Sequence, residues 1–261
     1  MPNLPKPAKI KMLNKDSAIC IQAVDFSETS QILTFFTKDF GKIKAIAKGS
    51  RRARSAFGGA IEVFSFGMIV FSQSSGEKLS ILTEFEQQSF AGLAGNLVSL
   101  NCAMFAVELL HRLTKENDPH PQLFEDFCVF LKNISKTKGE SETLAFLILF
   151  QLSLLKEVGL QPVLNYCVNC KTRYEIGDRG NEVYFSSSAG GLVCKDCEAH
   201  FLDKVRLSRR CADVLANLKL IVNADRKILS DIEKVLIFHF TGVLGGRPKA
   251  AKYIEKMTNL C

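Results

Sequence analysis

The chain has 261 residues, of which 47% are hydrophobic and 23% are charged, a balance that is typical of folded globular proteins and excludes a disordered chain. The longest apolar run, residues 144–155, is interrupted by Gln151 and Ser153, and it is shorter than the roughly 20 residues that a membrane span needs. The formal net charge is +7, and residues 1–56 carry 11 basic against four acidic side chains, which accounts for the whole excess. This asymmetry indicates an N-terminal module that binds a polyanion.

Residues 8–88 are predicted to form β-structure. Five short segments are rich in β-branched and aromatic residues, and turn-forming sequences at 38–41 and 72–77 separate some of them. The predicted strands are residues 18–25, 31–37, 42–48, 59–71 and 78–86. Five strands fit the OB-fold, the small five-stranded barrel that binds nucleic acids. An SH3-like barrel or part of a β-sandwich would give the same strand count.

The third predicted strand carries lysines at alternate positions and runs into an arginine-rich loop, residues 49–55. The two-residue period of a strand predicts that the lysines share one face, with Ile43, Ala45 and Ala47 on the other. A row of cations is suited to following a phosphate backbone, although a solvated strand face would show the same pattern. The candidate DNA-binding residues are Lys42, Lys44, Lys48, Arg51, Arg52 and Arg54. The candidates for base stacking, although phenylalanines in strands are more often core residues, are Phe35, Phe36, Phe40 and Phe57.

Helical spacing replaces the strand pattern from about residue 90. One buried helix face is predicted from Leu93, Leu97, Leu100, Met104, Val107 and Leu110. Further helices are predicted at 121–134 and 141–158, and the second of these ends at Gly159, with Pro162 just beyond it. Helices are predicted to resume at Ser208, with a break at 245–248.

Nine cysteines are present, and four of them form two C-x₂-C pairs. In a chain of this length with no recognisable secretory signal, a reducing cytoplasm is expected, where clustered cysteines favour a metal site over disulfides. Two such pairs can bind one Zn²⁺ tetrahedrally, which leaves no open position for a substrate, so the site is predicted to be structural. The alternatives are redox-active pairs or reduced cysteines without a metal. The predicted ligands are Cys167, Cys170, Cys194 and Cys197.

Motifs of several enzyme classes are missing from the sequence. It contains no G-x-x-x-x-G-K-[ST] phosphate-binding loop, no H-E-x-x-H and no G-x-S-x-G. We therefore predict a protein without catalytic residues, in which any rearrangement of nucleic-acid strands is driven by binding energy alone.

Several motifs together resemble the RecO family of DNA repair proteins. Residues 25–33, DFSETSQIL, with Phe40-Gly41-Lys42 resemble the opening hairpin of that family, and residues 47–52, AKGSRR, resemble its AKG-x-R signature. The cysteine pairs that follow a helix ending in Gly159 resemble its zinc element. The resemblance covers most of the chain and implies an α+β multidomain protein. Its parts would be an N-terminal OB-fold domain (1–88), an all-helical domain (89–162 and 201–261) and an inserted four-cysteine zinc ribbon (163–200).

The resemblance also implies a function and partners. It implies a non-enzymatic bacterial protein of the cytoplasm and nucleoid that binds single- and double-stranded DNA and anneals complementary strands. It further implies partnership with RecR, recognition of the acidic C-terminal tail of single-strand-binding protein, and help in loading RecA. Candidate partner-binding residues, chosen as cations near apolar helix faces, are Arg112, Lys115, Arg247, Lys249 and Lys252. Alternatives are a zinc-containing adaptor that acts through protein contacts and an RNA-binding accessory protein.

Overall fold

A computed structural model of the chain describes residues 12–72, 79–174 and 182–258. The chain divides into two compact units: Met1–Ser89 with Lys115–Phe124, and Phe90–Thr114 with Glu125–Cys261. The Pro/Lys-rich N-terminal arm (1–11) and most of the predicted turn at 72–77 lie outside the described residues. The domain boundaries inferred from the sequence remain a prediction.

The first unit contains a closed five-stranded barrel. Its strands are β1 (Leu13–Asp25), β2 (Gln31–Thr37), β3 (Gly41–Ala47), β4 (Phe66–Ser72) and β5 (Ser80–Gln88). The order around the barrel is β1-β2-β3-β5-β4, with antiparallel neighbours except for the parallel pair β3 and β5 that closes it. The barrel confirms the predicted OB-fold.

The fourth predicted strand began too early. The sequence predicted one apolar strand over residues 59–71, but β4 begins only at Phe66. The backbone before it is not extended: Gly58, Gly59 and Phe64 all have positive φ, at 75°, 135° and 72°. The apolar side chains of this stretch are nevertheless core residues, since Ile61 and Phe64 are buried.

The barrel interior is a single apolar cluster. The alternation predicted for β3 is correct, because Ile43, Ala45 and Ala47 all face inward. Aromatic rings fill the centre: Phe35 meets Phe85 edge to face, with the ring centroids 5.4 Å apart. The buried members of the cluster are Ala18, Cys20, Leu33, Phe35, Ile43, Ala45, Ala47, Phe57, Ile61, Ile69, Phe71, Leu82 and Phe85.

Residues 115–124 cover one end of the outer barrel surface, next to the start of β3. The backbone amide of Asn117 donates to the carbonyl of Lys42 at 3.0 Å, and Phe124 lies beside Phe36 with ring centroids 6.0 Å apart. Gly41 has a φ of +68°, and a Cβ there would lie 2.2 Å from the carbonyl oxygen of Asp118. A glycine is thus required where this segment meets the barrel. The sequence did not predict this contact.

The second unit is largely helical. Its helices are α1 (Leu97–Leu113), α2 (Pro121–Ile134, whose first four residues belong to the first unit), α3 (Glu140–Glu157), α4 (Arg209–Ala216), α5 (Arg226–Val243) and α6 (Ala251–Thr258). The predictions for α2 and α3 were accurate, and Gly159, at φ +74°, follows the end of α3 as expected. None of the described helices is long and apolar enough to cross a membrane.

The face predicted for α1 was correct only in part, since Val107 and Leu110 are buried as expected. Leu97 and Met104 are 72% and 44% exposed. The helix also buries residues outside the predicted set, several of them small or polar: Ser99, Cys102, Ala103, Phe105, Ala106 and Leu109. Because α1 packs against both α3 and α6, its buried surface is wider than one leucine row, and alanines allow the close approach.

A small three-stranded sheet accompanies the cysteine cluster. Its strands, in spatial order, are β7 (Gly191–Cys194), β6 (Val183–Ser186) and β8 (Lys204–Leu207). The strand β8 pairs with β6 and lies beyond residue 200, where the sequence predicted the end of the insertion.

A buried carboxyl group at the contact between α3 and α5 should make stability depend on pH. Glu233 is fully buried, and its Oε1 accepts a hydrogen bond of 2.8 Å from Gln151. Among the described residues its Oε2 has no hydrogen-bond partner. Burial raises the pKa of Glu233 to about 8, so the folded chain keeps a proton that the unfolded chain loses above its ordinary pKa.

We therefore expect stability to fall as pH rises from about 4.5 to about 8. Glu233→Gln should reduce this loss in the free energy of unfolding by roughly 2–4 kcal/mol. Urea unfolding at several pH values across that range measures the effect. Glu84→Gln, at an exposed position, is the control and should keep the wild-type slope. An unchanged slope in Glu233→Gln would contradict the assignment.

Candidate nucleic-acid interface and metal centre

The basic loop between β3 and β4 is anchored by the buried side chain of Gln31. Its Oε1 accepts from the hydroxyl of Ser50 and from the backbone amide of Ile61, both at 2.9 Å, and its Nε2 donates to the carbonyl of Ile61 at 3.2 Å. Phe57 is inserted into the barrel core. The backbone of residues 51–56 is therefore anchored at both ends, and its arginine side chains project from an ordered loop.

The loop is also tied to the turn between β1 and β2, residues 26–30. The amide of Arg51 donates to the carbonyl of Thr29 at 3.1 Å. The Arg51 guanidinium lies 3.1 Å from a carboxylate oxygen of Asp25 and 3.4 Å from the carbonyl of Ser27. Turn and loop thus form one surface, which we call the basic edge: residues 25–30 and 48–54.

Four of the six candidate cations lie on the basic edge. Lys48, Arg51, Arg52 and Arg54 are all exposed. Within the described part of the chain, Arg51 is the member of this set that forms an ion pair, whereas the other three form none. These side chains are available to an anionic ligand.

The strand lysines differ from the prediction. Lys42 was expected on an exposed face, but it is only 5% exposed, because residues 115–124 cover this end of β3. Burial lowers the pKa of Lys42, and the nearby Glu116 partly opposes that effect. Lys44 is exposed as expected, and it forms an ion pair of 2.6 Å with Glu116.

The phenylalanines proposed for stacking are not exposed. Phe35, Phe36 and Phe57 are buried, and Phe40 packs on Phe71 with ring centroids 5.3 Å apart. The stacking alternative was therefore wrong for Phe35, Phe36 and Phe57, and Phe40 is partly buried against the barrel core. Sequence reasoning missed Phe26, which is 62% exposed in the basic edge. A single aromatic in a turn has no periodicity that would distinguish it.

The four predicted cysteine ligands meet in one place. Their sulfur atoms all lie within 4.8 Å of one another, and the sulfurs of Cys170 and Cys194 are 3.7 Å apart. Four sulfurs at about 2.3 Å from a central Zn²⁺ would be about 3.8 Å apart. The Cys170–Cys194 pair is at this separation, and the whole cluster is close to the size of a tetrahedral site. Cys167 and Cys197 are buried, whereas Cys170 is exposed.

The surroundings also suit thiolate ligands. The backbone amide of Cys194 donates to the sulfur of Cys167 at 3.4 Å, and the side-chain amide of Asn169 donates to Cys197 at 3.3 Å. Hydrogen bonds with Thr172 lower the pKa of the Cys170 thiol to about 6. Burial raises the pKa of Cys194 to about 12, so an ion would have to displace its proton.

The candidate partner-binding residues have internal contacts. The Arg112 guanidinium donates to the carbonyls of Leu244 and Gly246, at 3.2 and 3.4 Å, just after α5. The carboxylate of Glu108 accepts from the backbone amides of Lys249 and Ala250, each at 2.7 Å, at the start of α6. Arg247 is paired with Glu255, and the Lys252 ammonium lies over the Tyr253 ring. Lys115 belongs to the other unit.

Comparison with known proteins identifies the family. The family models "Recombination protein O N terminal" and "Recombination protein O C terminal" match residues 12–90 and 94–252. A Rhodopirellula baltica protein named DNA repair protein RecO is 34% identical over 181 residues, which are 69% of this chain and 65% of that relative. A Bacillus subtilis protein of the same name is 25% identical over 257 residues, 95% of this chain and 96% of the relative. The chain thus spans just under two thirds of the first relative's length and almost all of the second's. It belongs to the RecO family.

Replacing Gln31 should loosen the basic edge. Gln31→Leu keeps the volume but leaves the Ser50 hydroxyl and both backbone groups of Ile61 without their partner. We expect the free energy of unfolding to fall by about 2–3 kcal/mol, with faster hydrogen exchange at residues 49–61. Gln88→Leu, at an exposed position of β5, should change neither. Equal stability of Gln31→Leu and wild type would show that the amide does not anchor the loop.

Proposed function

We propose that this protein is a non-enzymatic mediator of DNA repair and recombination that binds single- and double-stranded DNA and anneals complementary strands. The observation that supports this most directly is the basic edge: four exposed cations on an OB-fold barrel in a chain of the RecO family. The first turn of an OB-fold is a common site of oligonucleotide binding. The names of the relatives, DNA repair protein RecO, agree with the proposal.

DNA contact is assigned to Lys44, Lys48, Arg51, Arg52 and Arg54, with a minor contribution from the buried Lys42. Each neutralised phosphate releases condensed counterions, so affinity should fall as salt rises. Lys44 and Arg51 would exchange their present carboxylate partners for phosphates. Such exposed pairs contribute less than about 1 kcal/mol, which makes the exchange easy.

Annealing needs no nucleotide hydrolysis in this proposal. Two single strands repel each other through their phosphates, and a cationic surface that binds both offsets that repulsion. The chain would act with RecR, bind the acidic tail of single-strand-binding protein and help RecA to load, in the cytoplasm at the bacterial nucleoid. Arg112, Lys115, Arg247, Lys249 and Lys252 remain the candidates for partner binding. The side chains of Arg112, Arg247 and Lys252 would first have to exchange the contacts that they now make.

The cysteine cluster is proposed to hold one structural Zn²⁺. Cys167, Cys170, Cys194 and Cys197 would be its ligands, and the ion would supply folding free energy to a ribbon whose own apolar core is small. With four protein ligands, no position is left for a substrate.

The function is tested with the triple variant Lys48→Gln, Arg52→Gln, Arg54→Gln. The slope of log affinity for an oligonucleotide against log salt should become less steep by about 2, and single-stranded annealing without ATP should slow at least about tenfold. Annealing should be measured on strands coated with the cognate single-strand-binding protein and on bare strands.

The matched control removes three exposed charges from the other unit: Lys136→Gln, Lys219→Gln, Lys227→Gln. It should anneal like wild type. If both triple variants slow annealing equally, net charge and not the basic edge is responsible. If the wild-type protein does not anneal at all, the adaptor alternative is favoured, and tighter binding of RNA than DNA at equal salt would favour the RNA-binding one.

Metal analysis tests the cysteine site. The purified protein should contain about one Zn²⁺ per chain, and Cys167→Ser or Cys197→Ser should lose it together with stability of residues 163–207. Cys128→Ser, which changes a cysteine outside the cluster, should retain the metal. Iron in the purified protein, or a metal content unchanged by the ligand substitutions, would contradict the assignment.

A further inference from the structure

The basic edge contains one large exposed apolar side chain, Phe26. Its backbone is fixed by a tight turn: the Phe26 amide donates to the carbonyl of Ser30 at 3.0 Å. Within the turn, the Ser27 hydroxyl oxygen accepts from the amide of Ser30 at 3.2 Å. The ring nevertheless remains 62% exposed. An ordered backbone with an exposed ring is an arrangement that costs little further entropy when a flat ligand stacks on the ring.

The cation-bearing loop of the basic edge is joined to the turn that carries this ring. The Arg51 guanidinium contacts Asp25 and Ser27, the two residues that flank Phe26 in the chain. Gly49, which follows Lys48, donates its amide to the hydroxyl oxygen of Ser30 at 3.4 Å. A nucleotide held by these cations through its phosphate would bring its base within reach of the aromatic side chain.

An apolar row continues from the turn across the outer face of the barrel. The strand register places Val24 beside Ile32, and Ile32 beside Ile46. Their neighbours Ala23, Leu33 and Ala45 pack on the interior, so the row faces outward. Val24 is 51% exposed and the two isoleucines are partly exposed. Residues 115–124 cover the other end of this face, so the open part lies next to the basic edge.

We propose that Phe26, backed by the row Val24–Ile32–Ile46, is a stacking platform for unpaired bases and gives the barrel its preference for single strands. The inference deepens the proposed function, because it names the form of nucleic acid that the basic edge selects. Phosphate contacts alone do not detect whether a base is unpaired, because single strands and duplexes both present phosphates. A ring can stack only on a base that is not enclosed in a duplex, and it does so with little regard to sequence.

The first test is Phe26→Ala against wild type, with an oligothymidylate, a duplex of equal charge and an abasic oligonucleotide of equal length. Stacking on one base predicts at least about a fivefold rise in Kd for the oligothymidylate. The duplex Kd should stay within about twofold, because its phosphate contacts remain. Wild type should bind the abasic strand about as weakly as Phe26→Ala binds the oligothymidylate. Phe26→Leu separates stacking from apolar contact and should behave like Phe26→Ala.

The second test uses fluorescence. The chain contains no tryptophan, so Phe26→Trp introduces a single indole, which should be quenched when oligothymidylate binds and much less by the abasic strand. Leu202→Trp, at a fully exposed position of the other unit, is the matched control and should not respond.

The outcomes separate the two proposals. If Phe26→Ala weakens binding of single strand and duplex equally, Phe26 only shapes the turn and the inference fails. The same holds if it changes nothing while the Lys48/Arg52/Arg54 variant weakens binding, and then the proposed function stands without it. If wild type binds neither nucleic acid, both proposals fail together.

Discussion

Closure of the barrel is the constraint on which the outer surface depends. The parallel pairing of β3 with β5 rests on two residue pairs, Ala45 with Ser80 and Ile46 with Ile81. Once the sheet is closed, the side-chain alternation of every strand is determined, because a slip by one residue would place Lys44 in the apolar interior. The positions of the exposed lysine and of the apolar row beside it follow from the same register. The packing of the barrel interior therefore determines which polar side chains lie on the outer surface.

Buried polar side chains of the barrel also fix the positions of its loops. Gln31 is the first residue of β2, yet its amide holds residues that lie 19 and 30 positions further along the chain. Asp16 anchors the turn between β2 and β3 in the same way. Its Oδ2 accepts hydrogen bonds from the amides of Asp39 and Phe40 at 2.8 and 3.2 Å. Loops with such anchors present their charged side chains on a stable backbone. The loops then lose less conformational entropy when a ligand binds than free loops would.

The sequence predicted those features that depend on residues close together in the chain. The strand periods, the helix 121–134 and the cysteine pairs each carry their information within a few residues, and each was recovered. The burial of Lys42 was not, because it depends on Glu116 and Asn117, more than 70 positions away in sequence. The face of α1 was predicted only in part, because leucine spacing ignores how closely alanines let a neighbouring helix approach. Phe26 was missed because its exposure is a property of the folded turn.

The path of the chain limits how the molecule can be divided. Residues 115–124 cluster with the barrel although the residues on either side of them cluster with the helices, so the polypeptide passes between the two units three times. A cut after residue 89 would remove the peptide that lies against Gly41 and Phe36. It would expose the buried Phe36 ring and the buried Lys42 ammonium to water. The barrel and the helices are thus interleaved in sequence. Neither could have been gained or exchanged as one continuous segment unless another segment replaced residues 115–124.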